Sequence, residues 1–448
     1  MSVRFSELDG ATVGVWGAGR EIRSLADQLA RRLPSARIAV AAFDTLPDGD
    51  VRGMLRAPQL QLVTGAGAVE ALAACDVVIR SPGVSIHRPE MRALREAGVP
   101  ITTATSLWLA EREGRGVVGV TGTKGKSTTA SLIAHLARAA GRDADLAGNI
   151  GVPALDLLDR RPADMTVVEL SSYQIADLAV APEVAVITSL FREHTEWHGS
   201  EEAYRTEKLR ILGLPGLRVT VFNARDSQLS AAIGDAANVV RYGVSEGWDV
   251  VDGGITFREA GVLTSAELPL PGQHNALNLC GALAALEAFG VAPAPLPQAL
   301  AGFRSLPHRL ETLGERGGIL WVNDSISTTP ESTLAALASF PDRRVVLIAG
   351  GQDRGQDHDE LARVLATTGA TVIGVPSTGP RLLGAARSAG VLGDRAIEAS
   401  DLEDAVARAR EVAQAGEVII LSPAAPSYDN YRDFEQRGDR FRALAATS

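Results

Sequence analysis

Val117-Val-Gly-Val-Thr-Gly-Thr-Lys-Gly-Lys-Ser-Thr128 is an apolar run that breaks into a glycine-rich loop. The loop feeds Thr129-Ala-Ser-Leu-Ile-Ala-His-Leu-Ala-Arg138, whose apolar spacing is helical. A buried strand, a glycine loop and a helix in that order form a phosphate-binding device. Backbone N–H groups and the positive end of the helix dipole face the anion. Gly122 and Gly125 let the backbone approach, Lys126 adds a point charge, and the Ser127 hydroxyl can ligate Mg²⁺. The stretch departs from a strict Walker A pattern, because Val120 stands where the first glycine is expected. Its strand and helix context still makes ATP or GTP the expected ligand, held by Gly122, Thr123, Lys124, Gly125, Lys126, Ser127 and Thr128.

Working outward, the 448 residues suffice for about three domains at roughly 150 residues each. Upstream, Ala11–Trp16, Arg37–Phe43 and Cys75–Arg80 read as strands of a parallel sheet, alternating with amphipathic segments. Gly17-x-Gly19 is part of a dinucleotide fingerprint, although Ile22 replaces the third glycine. Asp44, at the end of the second strand, is either a ribose-binding acid or an acid that caps a strand end. Downstream, Met165–Glu169 and Glu183–Thr188 continue the central sheet, and 216–270 is richer in short strands and turns. Further strands at Ile319–Val322, Arg343–Ala349, Thr371–Val375 and Glu417–Leu421 mark a second βαβ region. The expected fold class is therefore α/β with three domains. These are a Rossmann-like N-terminal domain (1–113), a central phosphate-loop ATPase domain with a parallel sheet and a small β region (114–305), and a Rossmann-like C-terminal domain (306–448).

Composition narrows the function classes. Lys plus Arg number 44 against 54 Asp plus Glu, a net charge of −10, and no basic stripe is present. Nucleic acid is thus not the expected partner. No apolar run approaches ~18 residues and the N-terminus lacks a signal-type apolar region, so a cytoplasmic protein with no membrane partner is expected. Cys75 and Cys280, the two cysteines, read as buried thiols.

Several side chains leave strand ends at the edge that carries the phosphate loop. Glu169 can ligate Mg²⁺ there, the bland alternative being a surface acid. His194 follows the next strand and reads first as a solvated loop histidine. Lys208, taken alone, is a surface lysine on an amphipathic helix. Asp324 follows a strand and can bind a ribose hydroxyl or metal; Arg309 sits near the last domain boundary, where an arginine can reach a phosphate.

The phosphate loop is followed in order by Ala147-Gly-Asn-Ile-Gly151, Glu169-Leu-Ser-Ser-Tyr-Gln174, Gln273-His-Asn275, Pro307-His-Arg309, Asn323-Asp324 and Phe434-Glu-Gln-Arg-Gly438. This series resembles the Mur ligases, ATP-dependent amide ligases of peptidoglycan precursor assembly, over nearly the whole chain. Ser422-Pro-Ala-Ala-Pro-Ser427 and the Phe434–Gly438 segment resemble the branch that adds glutamate to UDP-N-acetylmuramoyl-L-alanine. The resemblance implies that Lys126 and Ser127 hold the ATP phosphates and one Mg²⁺, while Glu169, His194 and a carbamylated Lys208 serve a second. It further implies that Asn275 meets the adenine, Arg309 the phosphates and Asp324 the ribose. Asn149 would touch the muramoyl group, and Asp44, Thr45, Ser81, Pro82 and Gly83 the uridine diphosphate.

One departure bears on the amino acid. Enzymes of the family that add D-glutamate carry Asp-Ser-Lys-Ala-Thr-Asn where this chain reads Asp324-Ser-Ile-Ser-Thr-Thr-Pro330, so Ile326 replaces a carboxylate-binding lysine. An uncompensated loss of that cation would cost roughly 2–5 kcal/mol. Arg354 is a candidate replacement charge, and Ser427 and Phe434 match pocket positions. The pattern resembles a variant branch that adds L-glutamate and relies on a downstream epimerase; ordinary D-glutamate ligation is the alternative. A monomer is expected.

Overall fold

In the computed structural model the described residues are 3–46, 50–65, 67–191, 195–234, 236–268, 270, 272–304 and 306–447. Of Thr195 and Glu196 only the backbone is described. The chain forms two compact units, 1–268 with 274–302, and 269–273 with 303–448.

The first unit holds two parallel sheets. The N-terminal one contains β1 (Thr12–Trp16), β2 (Arg37–Phe43), β3 (Gln61–Thr64), β4 (Val77–Arg80) and β5 (Ile101–Thr102), in the order β3-β2-β1-β4-β5. The central one contains β6 (Val117–Thr121), β7 (Ala144–Gly148), β8 (Met165–Glu169), β9 (Val184–Ile187), β10 (Val219–Asn223) and β11 (Val239–Tyr242), in the order β11-β10-β9-β6-β8-β7. Strands β6, β8 and β9 are buried along their whole length. A parallel strand covered on both faces needs a continuous apolar run, which Val117–Val120 and Val184–Ile187 supply apart from the small Gly119 and Ala185. Gly119 has a steric reason: a Cβ there would lie 2.5 Å from Pro182 Cγ.

The two sheets share a core. Ile22, Leu25 and Leu29 from the first long helix (Arg20–Arg32) belong to the same buried cluster as Leu107 and Trp108 (helix Ala104–Glu111), Leu155 and Leu178. That shared burial makes the two sheets one compact unit. A small antiparallel sheet, β12 (Trp248–Val251), β13 (Gly254–Phe257) and β14 (Ala260–Leu263), occupies the region expected to be rich in short strands.

The second unit is built on β15 (Glu311–Arg316), β16 (Ile319–Asn323), β17 (Val345–Ala349), β18 (Thr371–Gly374), β19 (Ala396–Glu398) and β20 (Val418–Leu421), ordered β15-β16-β20-β17-β18-β19. All pairs are parallel except β15 with β16. The α/β architecture read from the sequence is therefore the one observed. In open parallel sheets ligands gather outside the C-terminal strand ends where the winding reverses. Those points fall between β1 and β4, and between β6 and β9. Among the described residues no helix is long and apolar enough to cross a membrane, and Cys75 and Cys280 are free and buried.

Candidate active site

The loop after β6 is shaped by glycines that nothing larger replaces. Gly122 has φ 146°, and a Cβ there would sit 2.0 Å from Thr188 Oγ1. Gly125 has φ 86° and caps the helix Lys126–Ala139 without any side-chain cap. The exit of β9 locks the loop: Thr123 N–H donates to Ser189 O (2.8 Å) and Lys124 N–H to Ser189 Oγ (2.9 Å). Thr188 Oγ1 donates to Lys124 O (2.5 Å). Lys126 curls back to donate to Thr123 O (2.9 Å), and Ser127 and Thr128 are buried at the helix start. Asn275 lies one helical turn from Asn278, whose Nδ2 donates to Asn275 Oδ1 (3.3 Å) and whose Oδ1 accepts from Thr129 Oγ1 (3.4 Å). The structure thus gathers Asn275 and the phosphate loop, which are far apart in sequence.

Glu169 ends β8 and is 1% exposed, which overturns the surface-acid alternative. Asn149 Nδ2 donates to its Oε1 (2.9 Å), while Oε2 is buried with no hydrogen-bond partner among the described residues. A buried carboxylate oxygen without a donor is costly unless a cation meets it, so the site fits Mg²⁺. Lys208 corrects its residue-level reading. It is 2% exposed, donates to Gly122 O (3.0 Å) and lies 5.0 Å from the Tyr204 ring centroid. Its helix, Glu201–Leu209, turns that face inward because Tyr204 hydrogen-bonds Thr123 Oγ1 (2.7 Å) in the phosphate loop. Ser200 is the N-cap, accepting from Ala203 N–H. His194 lies outside the described residues.

At the N-terminal sheet, Ser81, Pro82 and Gly83 follow β4, and Gly17 to Gly19 follow β1 beside it. Gly19 N–H donates to Ser81 Oγ (3.4 Å), and a Cβ on Gly17 would lie 2.8 Å from that oxygen. Asp44 and Thr45 are exposed, with Asp44 paired to Arg88 (2.7 Å). Two arginines that the sequence reading passed over organise this end. Arg20 donates to the carbonyls of Gly148 (2.7 Å), Asn149 (3.1 Å) and Gly151 (3.2 Å), fixing the loop that presents Asn149. Arg80 is fully buried; it pairs with Asp177 and donates to the carbonyls of Pro82 (3.0 Å), Val84 (2.9 Å) and Tyr173 (2.6 Å). A charged residue ending an otherwise apolar strand was the available signal for Arg80.

The second unit carries Arg309, Asp324, Arg354, Ser427 and Phe434. Arg309 Nε is buried without a hydrogen-bond partner among the described residues. Asp324 is buried, accepts from Leu310 N–H (3.1 Å) and Ser422 Oγ (2.8 Å), and burial pushes its carboxyl up to about 6. Ser427 is buried in the loop after β20, and Phe434 starts the last helix, edge-on to His308. Arg354 is exposed, with its guanidinium 5.8 Å from the Tyr428 ring centroid. Arg437, also missed in the sequence, is buried and donates to Ser325 O (2.9 Å) and Ala425 O (3.1 Å) and, from Nε, to Ser325 Oγ (3.0 Å).

Comparison with known proteins gives the family. The Mur ligase middle domain matches residues 120–286, and the Mur ligase glutamate ligase domain matches 308–425. A UDP-N-acetylmuramoyl-L-alanine–L-glutamate ligase from a Micromonospora strain is 44% identical, covering 98% of this chain and 97% of that relative. Enzymes of the same name from Salinispora tropica and Xanthomonas euvesicatoria are each 42% identical, covering 98% and 97% of the relatives respectively and 98% and 99% of this chain. Among solved structures, MurF ligase from Thermotoga maritima in complex with ADP superposes with a TM-score of 0.59 at 18% identity, covering 100% of this chain and 99% of that one. The UDP-N-acetylmuramate-alanine ligase MurC of the same organism gives 0.58 at 19%, covering 98% and 99%. This chain belongs to the Mur ligase family.

Proposed function

We propose that the protein joins L-glutamate to UDP-N-acetylmuramoyl-L-alanine with hydrolysis of ATP to ADP and phosphate. The observation that carries this reading is full-length similarity at 44% identity to a ligase of that name, in a chain that retains Lys126, Glu169 and Lys208. Ile326, in place of a carboxylate-binding lysine, supports L- over D-glutamate.

A carboxylate is a poor electrophile, so the terminal alanine carboxylate first attacks the γ-phosphorus of ATP and ADP leaves. The glutamate amine then adds to the acyl carbon, and phosphate departs as the amide forms. Most of the protein's contribution is positioning and charge neutralisation. The phosphate-loop amides and Lys126 take the triphosphate, Asn275 the adenine, and Arg309 and Asp324 the phosphates and ribose. Ser127, Glu169, His194 and Lys208 would hold two Mg²⁺, which screen the phosphate oxygens from the incoming carboxylate when bound. A carbamate on Lys208 keeps one N–H for Gly122 O and adds the negative oxygens a metal needs. Arg20 and Arg80 set the loops that carry Asn149 and Ser81 to Gly83 for the muramoyl nucleotide. Arg354, Ser427 and Phe434 receive the amino acid.

The test is phosphate release with ATP, Mg²⁺ and UDP-N-acetylmuramoyl-L-alanine, with L- or D-glutamate added separately. Turnover with L-glutamate and little with D-glutamate is expected. Turnover with D-glutamate alone would return the protein to the ordinary branch, and an epimerase acting on the product would then have no role.

A further inference from the structure

His87, His198 and Glu207 come together outside the groups assigned to ligation. His87 follows the Ser81-to-Gly83 loop. His198 ends the short helix Thr195–His198, and Glu207 lies on the helix Glu201–Leu209. His87 Nε2 donates to Glu207 Oε1 (2.5 Å) and His198 Nδ1 to Glu207 Oε2 (2.5 Å), so one carboxylate joins two imidazoles. The three ligand atoms lie within 4.8 Å of one another. The far nitrogen of His198 is also held, Nε2 lying 2.9 Å from Ser172 Oγ. Such a partner on the remote ring nitrogen is the hallmark of an oriented metal-ligating histidine. Packing fixes the ring further: His198 is fully buried, with Trp197 at 4.5 Å and Tyr204 at 5.2 Å between ring centroids.

We propose that His87, His198 and Glu207 form a binding site for a transition-metal cation of the zinc type, distinct from the magnesium-binding set. Two imidazole nitrogens and one carboxylate are a borderline donor set that favours Zn²⁺ or Co²⁺ over Mg²⁺, which prefers oxygen and keeps its water. Metal–nitrogen bonds of about 2.0–2.1 Å require the three groups to part only slightly from their hydrogen-bonded spacing. No net proton leaves, because each neutral ring can move its proton to the other nitrogen; on His198 that proton then faces Ser172 Oγ. The half-exposed His87 leaves an open side for water or another ligand, its side chain being 42% exposed. The ion would join the segment after β4 to the helix that carries Lys208. Two contacts already tie the segment after β4 to the short helix that carries His198: Ser85 Oγ to Trp197 O (2.6 Å) and Trp197 Nε1 to Gly83 O (3.0 Å).

The test uses the full-length protein without nucleotide, in excess Mg²⁺, titrated with Co²⁺ and followed by visible absorption and by quenching of Trp197 fluorescence. A saturable one-to-one signal is expected, with the quench lost in Trp197→Phe. Zn²⁺ should displace the Co²⁺. His87→Ala and Glu207→Gln should each weaken binding by about tenfold or more. His87 is exposed enough that its variant should fold, and a thermal melt checks this; Zn²⁺ should raise the melting temperature of the wild type and not of His87→Ala. No saturable signal, or equal binding in wild type and both variants, would overturn the site. Ligase turnover is not read, so failure here leaves the proposed function standing.

Discussion

The C-terminal strand ends of the central sheet and those of the second unit bury charge in opposite ways. At the central sheet, Glu169 keeps an oxygen without a hydrogen-bond partner among the described residues, and the helix after Gly125 starts with no side-chain cap. A buried carboxylate oxygen without a donor costs stability. In the second unit, Arg437 spends its guanidinium on Ser325 and on carbonyls of the loop after β20, and Asp324 is held by Leu310 N–H and Ser422. There the buried charges shape loops. One edge leaves a buried charge unmet; at the other, Arg437 and Asp324 are met by backbone and small side chains.

The contrast is sharpest at Glu169. Glu169→Gln keeps the shape and an acceptor for Asn149 but removes the charge at the unpartnered oxygen. Turnover should fall by about 10²–10³-fold, with a higher Mg²⁺ requirement and no loss of thermal stability. An unchanged Mg²⁺ dependence would remove Glu169 from metal binding. The converse holds for Arg437→Ala, which strands several buried carbonyls and should destabilise the second unit by roughly 3 kcal/mol or more. A urea titration followed by a probe in that unit reads this; a wild-type midpoint would show that the loop after β20 holds itself.

The smallest effect concerns Asp324. Its folded carboxyl is raised from 3.8 to about 6, because burial outweighs the hydrogen bonds from Ser327, Ser422 and Leu310 and the nearby Arg309. Between those values the folded state binds more protons than the unfolded one, so this group makes stability fall as pH rises from about 4 to about 6. The term is of order 3 kcal/mol. Asp324→Asn should flatten that slope in melting temperature against pH. An unaltered slope would mean that Asp324 is more solvated than its burial implies.

Much of the first edge was legible because its chemistry is local. A phosphate loop needs its glycines, lysine and hydroxyl within one turn, so Gly122 to Thr128 announce themselves, and the apolar runs of β6, β8 and β9 place Glu169 beside them. Lys208 was illegible as residue chemistry. Its helix carries charged residues on both sides, and long-range contacts such as Tyr204 with Thr123 turn Lys208 inward. The pocket of the second unit was harder still, since a substitution such as Ile326 says what is missing and not what compensates. Arg354 is the sequence's candidate for that charge, yet it is exposed and lies beside Tyr428.

By itself the sequence determined the α/β class, most of the central strands and the phosphate loop, because each rests on periodicity or on short-range spacing, and its ordered motifs gave the family resemblance. Only the tertiary structure decided which sheet ends meet, that Arg20 and Arg80 tie the N-terminal loops to the central sheet, that Lys208 is buried, and that His87 and His198 share Glu207. Those facts join residues separated by as many as 131 positions, as in Arg20 and Gly151. Long-range contacts of that kind follow from how sheets pack and from which polar groups burial forces to find partners, and no local pattern encodes them.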